Sequence, residues 1–318
     1  MPKSLLEYAD WLAERDLIWP QVPAEVSAKA TAFVEPLDGV RAVVWNVYGT
    51  LLRISDGRLL FDHPKKMRMQ IAMDKTVEEF KMWHSMNRKP GNPGELMYEQ
   101  YAPLLKRQLM ANTQQKGDSP EVDAPAIWRK LLSRLAEKGY SYDINLYGDP
   151  EELSDKVTYF FHSSLQGVEA APNARDALTA IVESPLKQSL LSDAQSFTLV
   201  QMLRALRVQG TLPPLGGLFS LGLMTLSFQD GLRKPSASLF GRCVERFEAE
   251  GIEPREVLYI SNQLRDDLSV AKQAGMQTAL YAADTLSLRA AKSDVRDPDM
   301  KPDRLLTDLI QIRDILSI

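Results

Sequence analysis

Short apolar runs rich in β-branched residues recur along the chain, and helix-length segments separate them. The first run is Val40 to Trp45. After residue 172 the runs alternate with helical patterns, and they lie at 187–191, 257–260, 278–281 and 304–306. Strands separated by single helices predict a parallel, doubly wound sheet, and a continuous apolar run suits a strand buried on both faces. We therefore predict an α/β fold with a Rossmann-like parallel sheet as its core.

A long helical block separates the first strand from the second. Trp128 and Leu131 lie on one face of a predicted helix at 124–138, and Asp149-Pro150 supplies a cap and first residue for another. Pro and Gly residues at 90–94 interrupt the helical periodicity between 76 and 110. The predicted parts are a helical N-terminal extension (1–38), a core domain (39–62 and 167–318) and a large helical cap (63–166). An insertion after the first strand would cover the carboxyl ends of the strands, where open α/β sheets bind ligands.

Composition excludes several classes of partner and ligand. The 318 residues carry a net charge of −4, which gives no electrostatic argument for nucleic acid or an anionic membrane. The single Cys243 cannot form an internal disulfide, and three scattered histidines add no zinc-type ligand set. No apolar run reaches the roughly 18 residues of a membrane span. We expect a cytoplasmic protein with neither nucleic acid nor membrane as a partner, and the oligomeric state stays open.

Polar residues with chemical potential follow four of the apolar runs. These segments are Trp45–Leu52 (WNVYGTLL), Leu190–Asp193 (LLSD), Gly231–Ser236 (GLRKPS) and Tyr259–Asp267 (YISNQLRDD). Each segment alone is a weak signal, but four in this order at predicted strand ends are a strong one.

Together the segments resemble the four motifs of the haloacid-dehalogenase-like (HAD) superfamily. In that family an aspartate of the first motif attacks phosphorus or carbon and forms a covalent ester. A threonine four residues later and a serine or threonine of the second motif hold substrate oxyanions. A lysine of the third motif neutralises charge, and acidic residues of the fourth bind magnesium or fix the lysine. The resemblance places these roles on Asn46, Thr50, Ser192, Lys234, Asn262 and Asp267.

Three positions depart from the phosphatase pattern of that family. Asn46 replaces the nucleophile, and because an amide oxygen is uncharged, the covalent step should be crippled. Tyr48 stands where phosphatases carry a second aspartate, and Asn262 replaces the first acidic residue of the fourth motif. Magnesium prefers carboxylates, so a site built from Asn46, Asn262 and Asp267 should bind it weakly or not at all.

Two of these departures resemble the dehalogenase branch, which works without metal. Tyr48 and the Ser261-Asn262 pair lean towards that branch, whereas Asn46 fits neither branch. Asn46 is either a natural replacement or a substitution made to trap the covalent step, and one sequence leaves both open.

Further candidates surround these positions. The predicted catalytic set also includes Tyr48, and Gly49, Asp193 and Arg53 are predicted to bind substrate. Arg58 is the alternative to Arg53, because dehalogenases use a cap arginine to grip a carboxylate or halide. Each has a plainer interpretation: both arginines as surface residues, Asp193 as a turn residue, and Asp267 as a cap of the following helix.

Two classes of function follow from these residues. The first is a HAD-like hydrolase by descent that acts on a small anionic substrate, such as a phosphate ester, a phosphonate or a 2-haloacid, and is impaired by Asn46. The alternative is a catalytically inactive anion-binding or regulatory protein on the same scaffold. A weaker third idea is a structural helper whose cap serves as a partner surface. The sequence therefore leaves open whether the chain is an enzyme.

Overall fold

The structure is a computed structural model that describes residues 1–86 and 92–318. Positions 90 and 91 of the predicted Pro-Gly interruption lie outside the described residues. The strands are β1 (Ala42–Trp45), β2 (Leu52–Ile54), β3 (Ser119–Pro120), β4 (Val168–Ala170), β5 (Lys187–Ser192), β6 (Thr225–Leu226), β7 (Leu232–Arg233), β8 (Val257–Ser261), β9 (Gln277–Tyr281) and β10 (Arg304–Leu306).

Helices occupy most of the remaining chain. They are α1 (Leu5–Ala13), α2 (Lys66–Glu79), α3 (Pro93–Leu109), α4 (Ala124–Ala136), α5 (Ile144–Tyr147), α6 (Pro150–Leu165), α7 (Ala174–Val182), α8 (Thr198–Arg207), α9 (Leu215–Leu218), α10 (Ser227–Asp230), α11 (Ala237–Glu248), α12 (Ser269–Gln273), α13 (Lys292–Arg296) and α14 (Ile312–Leu316). Short 3₁₀ helices lie at Met82–Ser85, Leu221–Leu223, Pro254–Glu256 and Leu309–Gln311, and a π-helical turn spans Leu264–Leu268.

A six-stranded sheet forms the core, in the order β10-β9-β8-β1-β5-β6. All of its strand pairs are parallel, which confirms the predicted α/β, Rossmann-like fold. β1 lies between β8 and β5, and the register sets Trp45 beside Ile260 and Leu190. The strand order reverses at β1, and the crevice beyond such a reversal is where ligands bind in open α/β sheets.

Successive side chains of β1 enter two different apolar clusters. Val43 and Trp45 pack with residues of α7 and α14, such as Leu178 and Ile315. Val44 belongs to the cluster that contains Phe240 and Phe247 of α11. Because side chains alternate across a strand, this pattern shows that helices cover both faces of the sheet, which explains why the strand sequence is apolar throughout.

The helical block (residues 63–166) contributes to a third apolar cluster, formed largely by α2, α3, α4 and α6. Helix α1 buries Tyr8 and Leu12 in the same cluster, although it precedes β1 in sequence. Within residues 1–38 the helix is Leu5–Ala13, and the Pro-containing stretch that follows it is not helical. Pro20 and Pro23 lack the backbone N–H that a helix needs, and further on Phe33 exchanges backbone hydrogen bonds with Leu305 of β10.

Two small antiparallel pairs connect parts of the chain that are distant in sequence. β2 pairs with β4 on either side of the helical block. β3, inside the helical block, pairs with β7, which lies far outside it in sequence. This second pair fixes one edge of the block against the carboxyl ends of the sheet strands. Within the described residues, no helix has the length and apolar character needed to cross a membrane.

Candidate functional site

The four predicted segments meet at the carboxyl edge of the sheet. Asn46 directly follows β1, and its backbone N–H donates to the Ile260 carbonyl at 2.9 Å. Ser192 ends β5, and its Oγ accepts a hydrogen bond from the Val47 N–H at 3.2 Å. Lys234 follows β7 and reaches the same point through its side chain. The convergence follows from the parallel strands, whose carboxyl ends share one edge.

The Asn46 side chain forms hydrogen bonds through both of its polar atoms. Its Oδ1 accepts from Lys234 Nζ at 2.8 Å and from Ser192 Oγ at 3.0 Å. Its Nδ2 donates to the Tyr48 carbonyl at 2.8 Å and to Asn262 Oδ1 at 2.9 Å. The residue is only 1% exposed. A primary amide has two donors and one carbonyl acceptor, so these contacts use its capacity fully.

Asn262 is held in the orientation that receives this donor. Its Nδ2 donates to the Ser287 carbonyl at 2.5 Å, which leaves Oδ1 facing Asn46. Thr50 Oγ1 donates to the same Oδ1 at 3.2 Å and accepts from the Asn262 N–H at 3.1 Å. A carboxylate at position 46 would therefore bring an oxygen against two acceptors, the Tyr48 carbonyl and Asn262 Oδ1.

Gly49 allows the first loop to approach Asn262 closely. Its φ is +88°, a region that residues with a side chain rarely adopt. A Cβ at this position would lie 2.3 Å from Asn262 Nδ2. Gly49 is thus required for packing beside the cluster, whereas its predicted role in binding substrate stays a prediction.

A buried ion pair lies behind Asn46. Lys234 Nζ is 2.7 Å from Asp267 Oδ2, and both side chains are almost completely inaccessible. The same Oδ2 accepts from Tyr259 OH at 3.2 Å and from Ser261 Oγ. Asp267 lies in the π-helical turn and its carboxylate holds the lysine, so the structure does not show it capping the following helix. Tyr259 was not among the predicted site residues, because in the sequence it resembles the other apolar residues of its strand.

Two carboxyl groups lie beside this cluster. Asp193 Oδ1 accepts a hydrogen bond from the Lys234 backbone N–H at 2.8 Å. Burial raises the pKa of Asp193, although the Lys234 charge opposes that rise. Glu121 of the helical block lies close by, and burial together with the Asp193 charge raises the pKa of Glu121 to about 7. Sequence reasoning missed Glu121, because it follows a strand of only two residues.

The side chains of Tyr48 and Arg53 make their polar contacts with residues outside the cluster around Asn46. The Tyr48 hydroxyl donates to Gln201 Oε1 at 2.6 Å in α8, and burial raises the pKa of Tyr48. Arg53 is paired with Glu169 across β2 and β4, and it also contacts Asp284 at 3.2 Å. The Arg53 guanidinium is thereby fixed in an ion-pair cluster, away from the residues around Asn46.

A cavity of about 430 Å³ opens between the sheet edge and the helical block. Asn46, Tyr48, Asp193 and Lys234 line it from the sheet side. Arg58 and Arg233 line it as well, and within the described residues neither guanidinium group forms a hydrogen bond or ion pair. Of the two arginines that the sequence suggested, Arg58 lines the cavity and Arg53 does not.

Magnesium is the metal that the HAD resemblance implies, and the donors present do not suit it. The oxygens of Tyr48, Thr50 and Asn262 converge, but the Asn46 NH₂ group lies among them and donates to them. None of these oxygens is a carboxylate, and Asp267 Oδ2 is held by Lys234. Among residues 1–86 and 92–318, no group of three or more His, Cys, Asp or Glu side chains could hold a metal ion.

Comparison with known proteins identifies the fold. A sequence model of the HAD-hydrolase-like family matches residues 231–312. A 2-haloacid dehalogenase from Pseudomonas syringae pv. Tomato is 17% identical, with a TM-score of 0.52 over 87% of this chain and 98% of that one. YfnB from Bacillus subtilis, described as a HAD-hydrolase and bound to magnesium, is 16% identical, with a TM-score of 0.45 over 88% and 99% of the two chains.

The covalent chloropropionic acid complex of an L-2-haloacid dehalogenase from Xanthobacter autotrophicus is 19% identical, with a TM-score of 0.40 over 86% and 96% of the chains. No curated protein matches the sequence. At 17% identity the likeness to the Pseudomonas structure shows the fold, and the family match covers the part of the chain that contains Lys234, Asn262 and Asp267.

Proposed function

The chain has the fold of the haloacid-dehalogenase-like superfamily, and on that basis we propose that it binds a small anionic ligand and does not turn it over through position 46. The ligand would be a phosphate ester or a carboxylate such as a 2-haloacid. It would occupy the cavity between a core domain (39–62 and 167–318) and a cap (63–166).

The contacts of Asn46 carry this proposal. Its amide oxygen is uncharged and accepts hydrogen bonds from Lys234 and Ser192, so it has little tendency to attack phosphorus or carbon. Its NH₂ group is matched by the Tyr48 carbonyl and by an Asn262 side chain oriented by Ser287. Surroundings that suit an amide favour asparagine as the residue that belongs at this position.

The charges around the cavity support an anionic ligand. Lys234 is shared between Asn46 and Asp267, and Arg58 and Arg233 have no acceptor within the described residues. A planar guanidinium matches the oxygens of carboxylate and phosphate in bidentate fashion, so the two arginines are suited to such groups. We expect these cations to determine the ligand class, because the hydroxyls of Thr50 and Ser192 are buried and donate to Asn262 and Asn46.

Hydrolysis is the second candidate, and the intact support around position 46 favours it. Lys234, Ser192 and Asp267 hold the geometry that a carboxylate nucleophile would need. In that case the aspartate would form an ester that water then hydrolyses, and Lys234 would stabilise the developing charge. Loss of one member of such a unit removes most of the rate, so the protein with Asn46 would be very slow.

One experiment separates the two candidates. Hydrolysis of an aryl phosphate and of 2-chloropropionate is measured for the protein and for Asn46→Asp, with and without magnesium. In parallel, sulfate and chloroacetate are tested for their effect on the unfolding temperature. The binding proposal expects stabilisation of the unmodified protein by an anion and no turnover by either form.

The controls address charge and folding. Asn145→Asp makes the same change at an exposed position in the short helix α5 and should leave both readouts unchanged. Turnover by Asn46→Asp alone would make the scaffold a competent hydrolase, and its need for magnesium would indicate the branch. Failure of every anion to stabilise the protein would overturn the binding proposal.

A further inference from the structure

We propose that anion binding in this cavity is coupled to uptake of a proton by Glu121 of the helical block, which lines the cavity together with Asp193 of the sheet. The inference rests on the proposed anion-binding function and adds a regulation to the same site. Glu121 would then set the pH range over which the cavity binds an anion.

Backbone pairing fixes Glu121 at the cavity. β3 pairs with β7 in the register Ser119 to Arg233, and the Glu121 N–H donates to the Gly231 carbonyl at 3.0 Å. The Ser119 N–H donates to Ser236 Oγ at 2.8 Å, which adds a second attachment on the same side. The segment that carries Glu121 is therefore held directly against the loop that carries Lys234.

The two carboxyl groups line the same cavity, and the charge of Asp193 acts on Glu121. Asp193 Oδ1 is bound to the Lys234 N–H, so the Asp193 side chain is fixed. One Glu121 oxygen accepts from the Val122 N–H at 2.7 Å. Both residues line the cavity with Asn46 and Lys234. Two carboxylates in one poorly hydrated cavity repel each other, and protonation of one of them relieves this repulsion.

Cations and other acids also face the cavity. Arg233 and Lys234 attract the two carboxylates, while Asp267 neutralises much of the Lys234 charge. Arg58 contributes a further exposed positive charge to the cavity wall.

Two further acidic residues line the cavity. Asp62 accepts a hydrogen bond from Tyr98 OH at 3.0 Å, and Asp266 is exposed to solvent. A ligand anion thus competes with Glu121 and Asp193 for Arg233.

Titration near neutral pH is consistent with this arrangement. The pKa of Glu121 is raised to about 7, first by burial and then by Asp193. A bound anion adds a third negative charge and raises that pKa further, so the complex takes up a proton that the free protein lacks. No histidine is among the described residues that line the cavity, and Glu121 is the lining residue whose pKa is raised to about 7.

Sulfate is the probe, because its charge does not change across the range used. Its affinity is measured by calorimetry at pH 6.5, 7.25 and 8, in two buffers that differ in ionisation enthalpy. We expect the affinity to fall roughly tenfold from pH 6.5 to 8, with uptake of about half a proton or more at pH 7.25. Glu121→Gln should bind sulfate with an affinity that is nearly independent of pH, and more tightly than the unmodified protein at pH 8.

The outcomes are distinguishable. Sulfate binding with the same pH profile in both proteins, or without proton uptake, overturns the coupling and leaves the proposed function standing. No sulfate binding at any pH overturns the coupling, and it overturns the proposed function as well when chloroacetate also fails to stabilise the protein. Should Glu121→Gln not fold, the buffer comparison on the unmodified protein still decides, since zero uptake contradicts the proposal and uptake of about half a proton or more supports it.

Discussion

Asn46 Nδ2 lies 2.9 Å from Asn262 Oδ1, and Asn262 is held in that orientation by the hydrogen bond from its own Nδ2 to the Ser287 carbonyl. If the Asn262 amide rotated by half a turn, its oxygen would face the Ser287 carbonyl instead. The two asparagines are therefore complementary as a donor and an acceptor. The site accommodates an NH₂ group at a point where a carboxylate oxygen would meet only other oxygens.

Replacing Asn46 with Asp should destabilise the protein in buffer that contains a chelator. The new oxygen would face the Tyr48 carbonyl and Asn262 Oδ1 without a hydrogen, and an unsatisfied buried polar contact costs about 1–3 kcal/mol. Urea unfolding at pH 7 measures the free energy. Addition of magnesium should restore part of the loss in Asn46→Asp and leave the unmodified protein unchanged. An unaltered unfolding midpoint in chelator would contradict this account of Asn46.

The Lys234–Asp267 pair should behave as a single unit. Lys234→Met leaves the Asp267 carboxylate buried without its cation, and loss of one partner of a buried pair costs about 3–5 kcal/mol. Asp267→Asn should also destabilise the fold, because it leaves the lysine without its counter-ion. We expect the double variant to be more stable than the sum of the two single losses implies. Strict additivity in urea unfolding would show that the two groups do not interact.

Gly49→Ala should disrupt both the fold and anion binding. The added Cβ would lie 2.3 Å from Asn262 Nδ2, in a backbone region that disfavours alanine. We expect a loss of about 2 kcal/mol or more, because steric overlap adds to backbone strain. Gly139→Ala is the matched control, with a φ of +83° and no atom within 4 Å of the new Cβ. Equal losses in the two variants would exclude contact with Asn262 as the cause.

The sequence predicted the sheet and the meeting of its strand ends because both follow from local patterns. Each of Asn46, Ser192 and Asn262 lies at the end of an apolar run, and parallel strands bring such ends together. Glu121 could not be found this way. It follows Ser119-Pro120, a two-residue strand without a periodic pattern, and its partner β7 is more than a hundred residues away in the chain.

The sequence also could not decide between two arginines that lie close together in the chain. Arg53 and Arg58 are five residues apart, and either could be proposed for the cavity from sequence alone. The choice depends on β2, which pairs with β4 and sets Arg53 opposite Glu169. That pairing joins segments on either side of the helical block. The orientation of the Asn262 amide likewise depends on Ser287, a distant residue outside every recognisable motif.

Arg58→Ala should therefore weaken anion binding, whereas Arg53→Ala should lower stability. Arg58 is exposed and without an ion-pair partner in the described part of the chain, so its loss should weaken sulfate binding roughly three- to tenfold and leave stability unchanged. Arg53 is buried against Asp284, so its loss should lower stability by about 2–4 kcal/mol. Calorimetry and urea unfolding on the same samples test both. A binding defect confined to Arg53→Ala would restore that residue as the ligand-binding arginine.

The pH dependence of stability should reveal the titration of the Glu121 carboxyl group. Its pKa rises from an ordinary 4.5 to about 7 on folding, so the folded state holds a proton that the unfolded state releases as pH rises between those values. Folding is consequently penalised with increasing pH through this window, and the penalty levels off above pH 7. Glu121→Gln lacks the titrating group and should gain about 1–3 kcal/mol relative to the unmodified protein between pH 5 and pH 8. Urea unfolding at pH 5, 6, 7 and 8 measures the difference, and parallel profiles for the two proteins would show that Glu121 titrates as an ordinary surface carboxyl.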